Sequence, residues 1–174
     1  MLLRYFNIPP GSPPVEYWEA NAEFIKNVLD HEGGIMQSLL WHENASGEIP
    51  LHLAAKFGHV EAVEEFLRRA HLVSAEEVRK MLLKSNDRKD TALHEAARAG
   101  HAQIVQLLVE ADPSCPYEAN ELNETPLYLA AESRSSDCVA ELLDTCDSSA
   151  LAYDHKGPCG RTALHVLIHW SNPG

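Results

Sequence analysis

The sequence predicts an all-α solenoid built from stacked helix–turn–helix pairs, and three observations carry the prediction. Residues Asn86 to Pro113 read as a turn, a helix, a glycine-marked break and a second helix. A short motif recurs at Ile49-Pro50-Leu51-His52, Thr91-Ala92-Leu93-His94, Thr125-Pro126-Leu127-Tyr128 and Thr162-Ala163-Leu164-His165, with its leucines 42, 34 and 37 residues apart. The helices so marked are each too short to be stable alone in water, so each needs a neighbour, and the copies supply it.

Taken in order, Met1 to Pro14 is proline-rich and irregular. Val15 to Asp30 is helical by pattern, with Phe24, Ile25, Val28 and Leu29 on one side, and reads as a degenerate leading copy over 15–43. Ile35 to Trp41 is a short apolar linker expected to pack on the array. The first full copy, 44–85, predicts helices over 50–56 and 60–69. It then holds an insertion, because Ser74 with Glu77 three residues on is a capping box that opens a further helix over 75–83. The second copy, 86–119, predicts helices over 92–98 and 102–110. Thr91 is placed to cap the first, and Gly100 to end it in the left-handed conformation. Ile104, Val105, Leu107 and Leu108 form one apolar stripe on the second. The third copy, 120–156, predicts helices over 126–132 and 136–144 and then a polar loop from Asp144 to Pro158. The fourth, 157–174, is partial, with one helix over 163–169.

Departures from the pattern are informative. Ile49 stands where the other copies have Thr, so the first full copy loses a side-chain cap, a loss of about 1 kcal/mol. Arg134 occupies the break position held elsewhere by Gly58 and Gly100; in a left-handed conformation it costs roughly 1–2 kcal/mol. Leu167 and Ile168 replace the Ala-Ala pairs of the other copies, which predicts an altered final pair.

The tetrads and their period resemble the ankyrin repeat, with its period of about 33 residues and T-P-L-H-x-A signature. The resemblance covers residues 44 to 170. The continuation EADPSCPYEANELNETPLYLAAE, LLDTC and GRTALH is similar to plant ankyrin proteins of the accelerated-cell-death type, whose ankyrin array lies on the cytosolic side of a C-terminal membrane (PGG) domain. The resemblance implies that His52, His94 and His165 bond the tetrad Thr and a neighbouring loop. It also implies a protein partner held along the turn tips and the exposed face of each first helix. Carried onto this chain, that strip is Ser46, Glu48, Lys56 and Phe57, then Arg88, Asp90, Arg98 and Ala99, then Leu122, Glu124, Glu132 and Ser133. It implies a cytoplasmic setting, or the cytosolic face of a membrane where the membrane domain is present, and a role in defence signalling.

Composition narrows the function classes. The chain has 174 residues and a net charge of −12. Residues 110–154 carry eleven acidic residues and one basic, a net charge of −10, whereas 68–89 carry seven basic and three acidic, a net charge of +4. With no general basic footprint, nucleic acid is not expected as a partner. Along the strip, a mildly basic zone at Lys56, Arg88 and Arg98 precedes acidic Glu121, Glu124 and Glu132. No apolar run approaches the roughly 18 residues of a spanning helix, and no secretory leader is read at the N-terminus. Cys115, Cys138, Cys146 and Cys159 form no C-x-x-C pair, so reduced thiols are expected, and Cys138 falls on an apolar stripe. His155, Cys159 and His165 have neither paired-cysteine spacing nor a free His165, so no metal and no cofactor are expected. There is no G-x-S-x-G and no P-loop, so neither an enzyme nor a small-molecule substrate is expected. Two readings of function remain: a protein-interaction module, or a truncated structural fragment with no partner of its own, which the incomplete fourth copy and the Ile49 and Arg134 departures favour.

Overall fold

The computed structural model describes residues 40–115, 118–145 and 157–171. The segment 1–14, the helix expected over 15–30 and residues 146–156 of the expected polar loop lie outside them. The described residues form helices α1 (Pro50–Phe57), α2 (Val60–Val73), α3 (Ala75–Leu83), α4 (Ala92–Ala99), α5 (Ala102–Ala111), α6 (Pro126–Glu132), α7 (Ser136–Thr145) and α8 (Ala163–Ser171), with a short 3-10 turn at Pro158–Gly160. No strand occurs among them; Ser85 and Thr91 meet in an isolated antiparallel bridge.

Each pair turns at a left-handed residue. Gly58 and Gly100 end α1 and α4 at φ 79° and 77°. The amide of the next residue then bonds back into the helix, His59 N–H to Ala54 O and His101 N–H to Ala96 O. This is the helix end that glycine allows cheaply. Arg134 adopts the same conformation at φ 59°, with Ser135 N–H bonded to Ala130 O, so the third copy keeps the turn and bears the strain.

Helix α2 runs four residues past its expected end at 69. Nothing between Gly58 and Ser74 breaks a helix, and only the extended backbone of Ser74 stops it. Ser74 then opens α3 with its Oγ accepting Glu77 N–H at 3.1 Å. The Glu77 carboxylate does not return to the cap; it pairs with Lys80 at 2.9 Å.

First helices stack on first helices, α1 on α4 on α6 on α8, and second helices on second helices, α2 on α5 on α7. The Ala-Ala pairs at 54–55, 96–97 and 130–131 are all fully buried, because only a methyl group fits where two helices approach this closely. Leu40 is buried on the same core and Trp41 packs against it, as expected of the linker's end. Cys115 and Cys138 are buried and Cys159 is exposed, and none of the three is disulfide-bonded among the described residues. In the fourth copy the stack loosens: Leu164 and Ile168 on α8 are 64% and 60% exposed.

Burial sets the stability pattern. Leu93 and Leu108 are at most 1% exposed and packed from both sides. Leu93→Ala or Leu108→Ala is expected to cost about 2–5 kcal/mol in urea unfolding. Leu164→Ala, losing little buried surface, should cost well under half as much; equal losses at Leu93 and Leu164 would contradict the stacking described.

Candidate protein-interaction surface

The turn tips are built by an asparagine at the same place in three copies. Asn44 Oδ1 accepts the N–H groups of Ser46 and Glu48, Asn86 Oδ1 those of Arg88 and Asp90, and Asn120 Oδ1 those of Leu122 and Glu124, all at 2.9–3.0 Å. Each asparagine also closes the loop with its own backbone N–H on the carbonyl of Glu48, Asp90 or Glu124. The fourth tip residue is left-handed in every copy, at Gly47, Lys89, Asn123 and Gly160. Short polar side chains that bond backbone two residues on are the ordinary means of fixing such a turn.

Successive tips are hydrogen-bonded to each other. Asp87 N–H donates to Ser46 O at 3.1 Å, and Glu121 N–H to Arg88 O at 3.0 Å. The tetrad histidines add a second tie. His52 Nε2 meets Asp90 O of the next tip at 3.1 Å, while its Nδ1 accepts the Ile49 N–H at 3.3 Å. Ile49 itself offers no cap bond, as its side chain requires. In the second copy His94 Nδ1 accepts the Thr91 N–H at 3.2 Å and meets Thr91 Oγ1 at 2.9 Å. Thr91 therefore spends its hydroxyl on the His94 ring instead of capping a backbone amide. Only Thr125, whose tetrad partner is Tyr128, makes the backbone cap, accepting Tyr128 N–H at 3.2 Å. The fourth copy repeats the second, with Thr162 Oγ1 on His165 Nδ1 at 2.8 Å.

Two acceptor contacts on Nδ1 put the His94 proton on Nε2. That buried atom has no hydrogen-bond partner, although the Glu118 and Glu124 carbonyls face it. Burial drives its pKa down to about 4, against the pull of Asp90. Burial also lowers His52, with the Asp90 carbonyl opposing.

Behind the tips lies a charge network. Arg98 bonds Asp90 at 2.8 and 3.3 Å and approaches Glu95 at 3.3 Å and Glu124 at 3.5 Å. Arg88 reaches Glu95 at 3.4 Å and Asp90 at 3.5 Å. Asn120 Nδ2 donates to Asp90 at 2.7 Å and to Glu124 at 3.0 Å. Lys56 lies 3.5 Å from Glu48. Burial works against ionisation of Asp90, yet the hydrogen bonds from Arg98 and Asn120 hold its carboxyl below the ordinary value. Burial raises Glu95 in spite of Arg98.

The structure thus divides the strip read from the sequence. Glu48 and Asp90 are 7% and 1% exposed, which corrects the expectation that they face a partner: neighbouring turns and their own cations cover them. Lys56, Arg98 and Glu124 are half-buried and held in the network; Arg88 is exposed but tethered to it. The basic zone read from the sequence is offset by buried Glu48, Asp90 and Glu95. Ser46, Ala99, Glu132 and Ser133 are exposed, with Ser133 Oγ donating to Ala97 O at 3.0 Å. Phe57 and Leu122 stand out as large apolar side chains in the open, at 41% and 61%. The residues that sequence reasoning missed are Asn44, Asn86, Asn120 and Glu95. The asparagines each precede their tetrad leucine by seven residues, and that spacing was the available signal.

His155 lies outside the described residues, and His165 is taken up by Thr162. Among the described residues no three His, Cys, Asp or Glu side chains gather in a metal-binding group, and no helix is long and apolar enough to cross a membrane.

Helix pairs stacked without strands and laced at their tips define an all-α repeat solenoid. Comparison with known proteins gives the family: the profile described as ankyrin repeats (3 copies) matches residues 19–116 and 70–151. The chain belongs to the ankyrin-repeat family, whose arrays are generally protein–protein interaction modules. It is 32% identical over 123 residues to the mouse (Mus musculus) B-cell lymphoma 3 protein homolog, covering 71% of this chain and 26% of that protein. It is 34% identical over 134 residues to leucine-rich repeat serine/threonine-protein kinase 1 of Caenorhabditis elegans, covering 77% and 5%. To Protein ACCELERATED CELL DEATH 6 of Arabidopsis thaliana it is 30% identical over 122 residues, covering 64% and 18%. The chain therefore spans about a quarter or less of the length of these relatives.

Two outcomes follow from the site. Asn86→Ala removes two acceptor bonds to buried or half-buried amides and is expected to destabilise by about 2–3 kcal/mol in urea unfolding. For pH, His94 has a folded pKa below its unfolded value near 6.5, so its contribution is complete above about pH 6.5 and is lost as pH falls towards 4. His52 acts in the same direction, and the raised Glu95 opposes it at the acid end. Stability measured from pH 7 to 4 should fall on the order of 2–3 kcal/mol, and His94→Gln should flatten that slope.

Proposed function

We propose that this chain is a protein-interaction module whose partner lies along the turn tips and first helices, anchored on the apolar side chains of Phe57 and Leu122. The observation that carries the reading is their exposure, 41% and 61%, with Leu122 N–H held by the Asn120 template and Phe57 on the last turn of α1. Apolar anchors on a preorganised frame lose little entropy on binding, which is the property of energetic hot spots. Around them Ser46, Arg88, Glu132 and Ser133 form a polar rim interrupted by Ala99, and Lys56, Arg98 and Glu124 sit half-buried beneath. Glu48 and Asp90 act from inside, by holding the cations and tips in place.

We place this activity in plant defence signalling on the cytosolic side of a membrane. Similarity to Protein ACCELERATED CELL DEATH 6 and the LNETPLYLAAE stretch at 122–132 support that setting. Nucleic acid and small-molecule substrates are not part of the reading.

The test begins with capture of binders from plant extract and a direct binding measurement on the one recovered. Phe57→Ala should raise the off-rate of that complex by about tenfold, the scale of a lost apolar anchor. Glu121→Lys with Glu132→Lys should change the on-rate and its salt dependence while leaving the off-rate nearly constant. Unchanged kinetics in both variants, with folding intact, would remove the strip as the binding site.

A further inference from the structure

The ties between copies follow a rule that fails at one junction. Between the first and second full copies, and again between the second and third, the first residue after the tip asparagine donates its N–H to the preceding tip: Asp87 to Ser46, Glu121 to Arg88. The residue at that place in the fourth copy is Pro158, which has no N–H to give to Leu122. The tetrad side chain that reaches forward is His52 and then His94, but in the third copy it is Tyr128, which has no ring nitrogen. Its ring fills the space in front of the next tip so closely that a Cβ on residue 157 would come within 2.9 Å of two ring carbons. That excludes the asparagine found at this place in the other copies, and Gly157 stands there instead. The fourth tip still closes through Gly157 N–H on Arg161 O at 2.7 Å, but it has no side chain to template it.

The charge pattern changes at the same place. Lys56 with Glu48, and Arg98 with Asp90, join a first-helix cation to its own tip carboxylate. The corresponding pair in the third copy is Glu132 with Glu124, two like charges. What joins α8 to α6 is a small apolar cluster of Tyr128, Ala131 and Val166, with Ala163 and Leu167 at its edge. It meets the main core that runs through the other copies only at Ala163, which packs against both.

We infer that the junction between the third and fourth copies is a built-in hinge, at which residues 157–171 come away from α6 as one unit while the preceding copies stay closed. Tyr128 and Ala131 are the surface uncovered when it opens. The device lies in three substitutions: Pro158 deletes the tip-to-tip bond that both other junctions possess, Tyr128 replaces the imidazole that ties the first junction through His52, and Gly157 deletes the asparagine that templates the other tips.

Hydrogen exchange on the full chain, read by mass spectrometry, tests this. Amides of 163–171 should exchange at least about tenfold faster than those of 126–132, through a shared opening that leaves 92–99 protected. Pro158→Glu restores the missing donor with the residue found at 121 and should slow exchange in 163–171 about 3- to 10-fold, the scale of one regained hydrogen bond. Removing a proline by itself loosens a chain, so slowing is the opposite of a generic effect. Pro158→Ala, which restores the same N–H without adding a charge, should slow it as well and stands in should Pro158→Glu fold poorly. Exchange of 163–171 in step with 126–132 in the unaltered protein would overturn the hinge. So would faster or unchanged exchange of 163–171 in folded Pro158→Glu or folded Pro158→Ala.

Discussion

A single buried aspartate joins three copies of this array. Asp90 is 1% exposed, and every polar atom it owns is used. Its N–H goes to Asn86 of its own tip, and its carbonyl receives Asn86 N–H and His52 of the preceding copy. Its carboxylate receives Arg98 from the helix behind and Asn120 from the following copy. A buried charge is costly unless its hydrogen bonds are all met, and breaking such a set by removing one partner is far worse than never having built it. Because these bonds come from groups in three copies, a shift in the register of the stack would break several of them at once. The tips therefore specify the stacking that the apolar helix faces merely permit.

Much of the fold was legible from residues alone, for local reasons. Gly58 and Gly100, the tetrads and the apolar stripes speak to neighbours within a helical turn. The extra helix over 75–83 was readable because Ser74 and Glu77 signal a helix start by themselves, even though only the Ser74 half of the box forms. The strip was harder. Polar residues at a turn tip ordinarily face water, so Glu48 and Asp90 looked exposed; they are covered by groups that come close only after copies stack. The role of Asn44, Asn86 and Asn120 was hidden for a related reason, since asparagine in a turn is commonplace and only its recurrence seven residues before each leucine marks it. Thr91 stands at the cap position as read, but the His94 ring competes with the backbone for its hydroxyl.

The electrostatics follow from the same burial. Lys56, Arg88 and Arg98 project a positive zone only in a one-dimensional count. In space they face Glu48, Asp90 and Glu95, and the surface beyond them is governed by apolar Phe57 and Leu122 and by exposed Glu121 and Glu132. In the proposed interaction, selectivity would rest on shape and apolar contact at the centre, with acidic groups steering from the rim. The orphaned Nε2 of His94 belongs to this picture. A second proton, taken up at Nδ1, would bury a cation in a dry interior beside Arg98, which is why the ring remains neutral across the physiological range.

The inserted helix α3 lengthens one copy to a spacing of 42 residues against 34 for the next, yet the tip bonds Asp87 to Ser46 and Glu121 to Arg88 differ by only 0.1 Å. Chain length and structural pitch are thus uncoupled. The tips work as a ruler whose graduations do not record how much polypeptide runs between them. A molecule laid along that edge meets the same spacing whether or not the loop behind has grown, so the back of the array can accept or lose segments without redrawing what is read at the front.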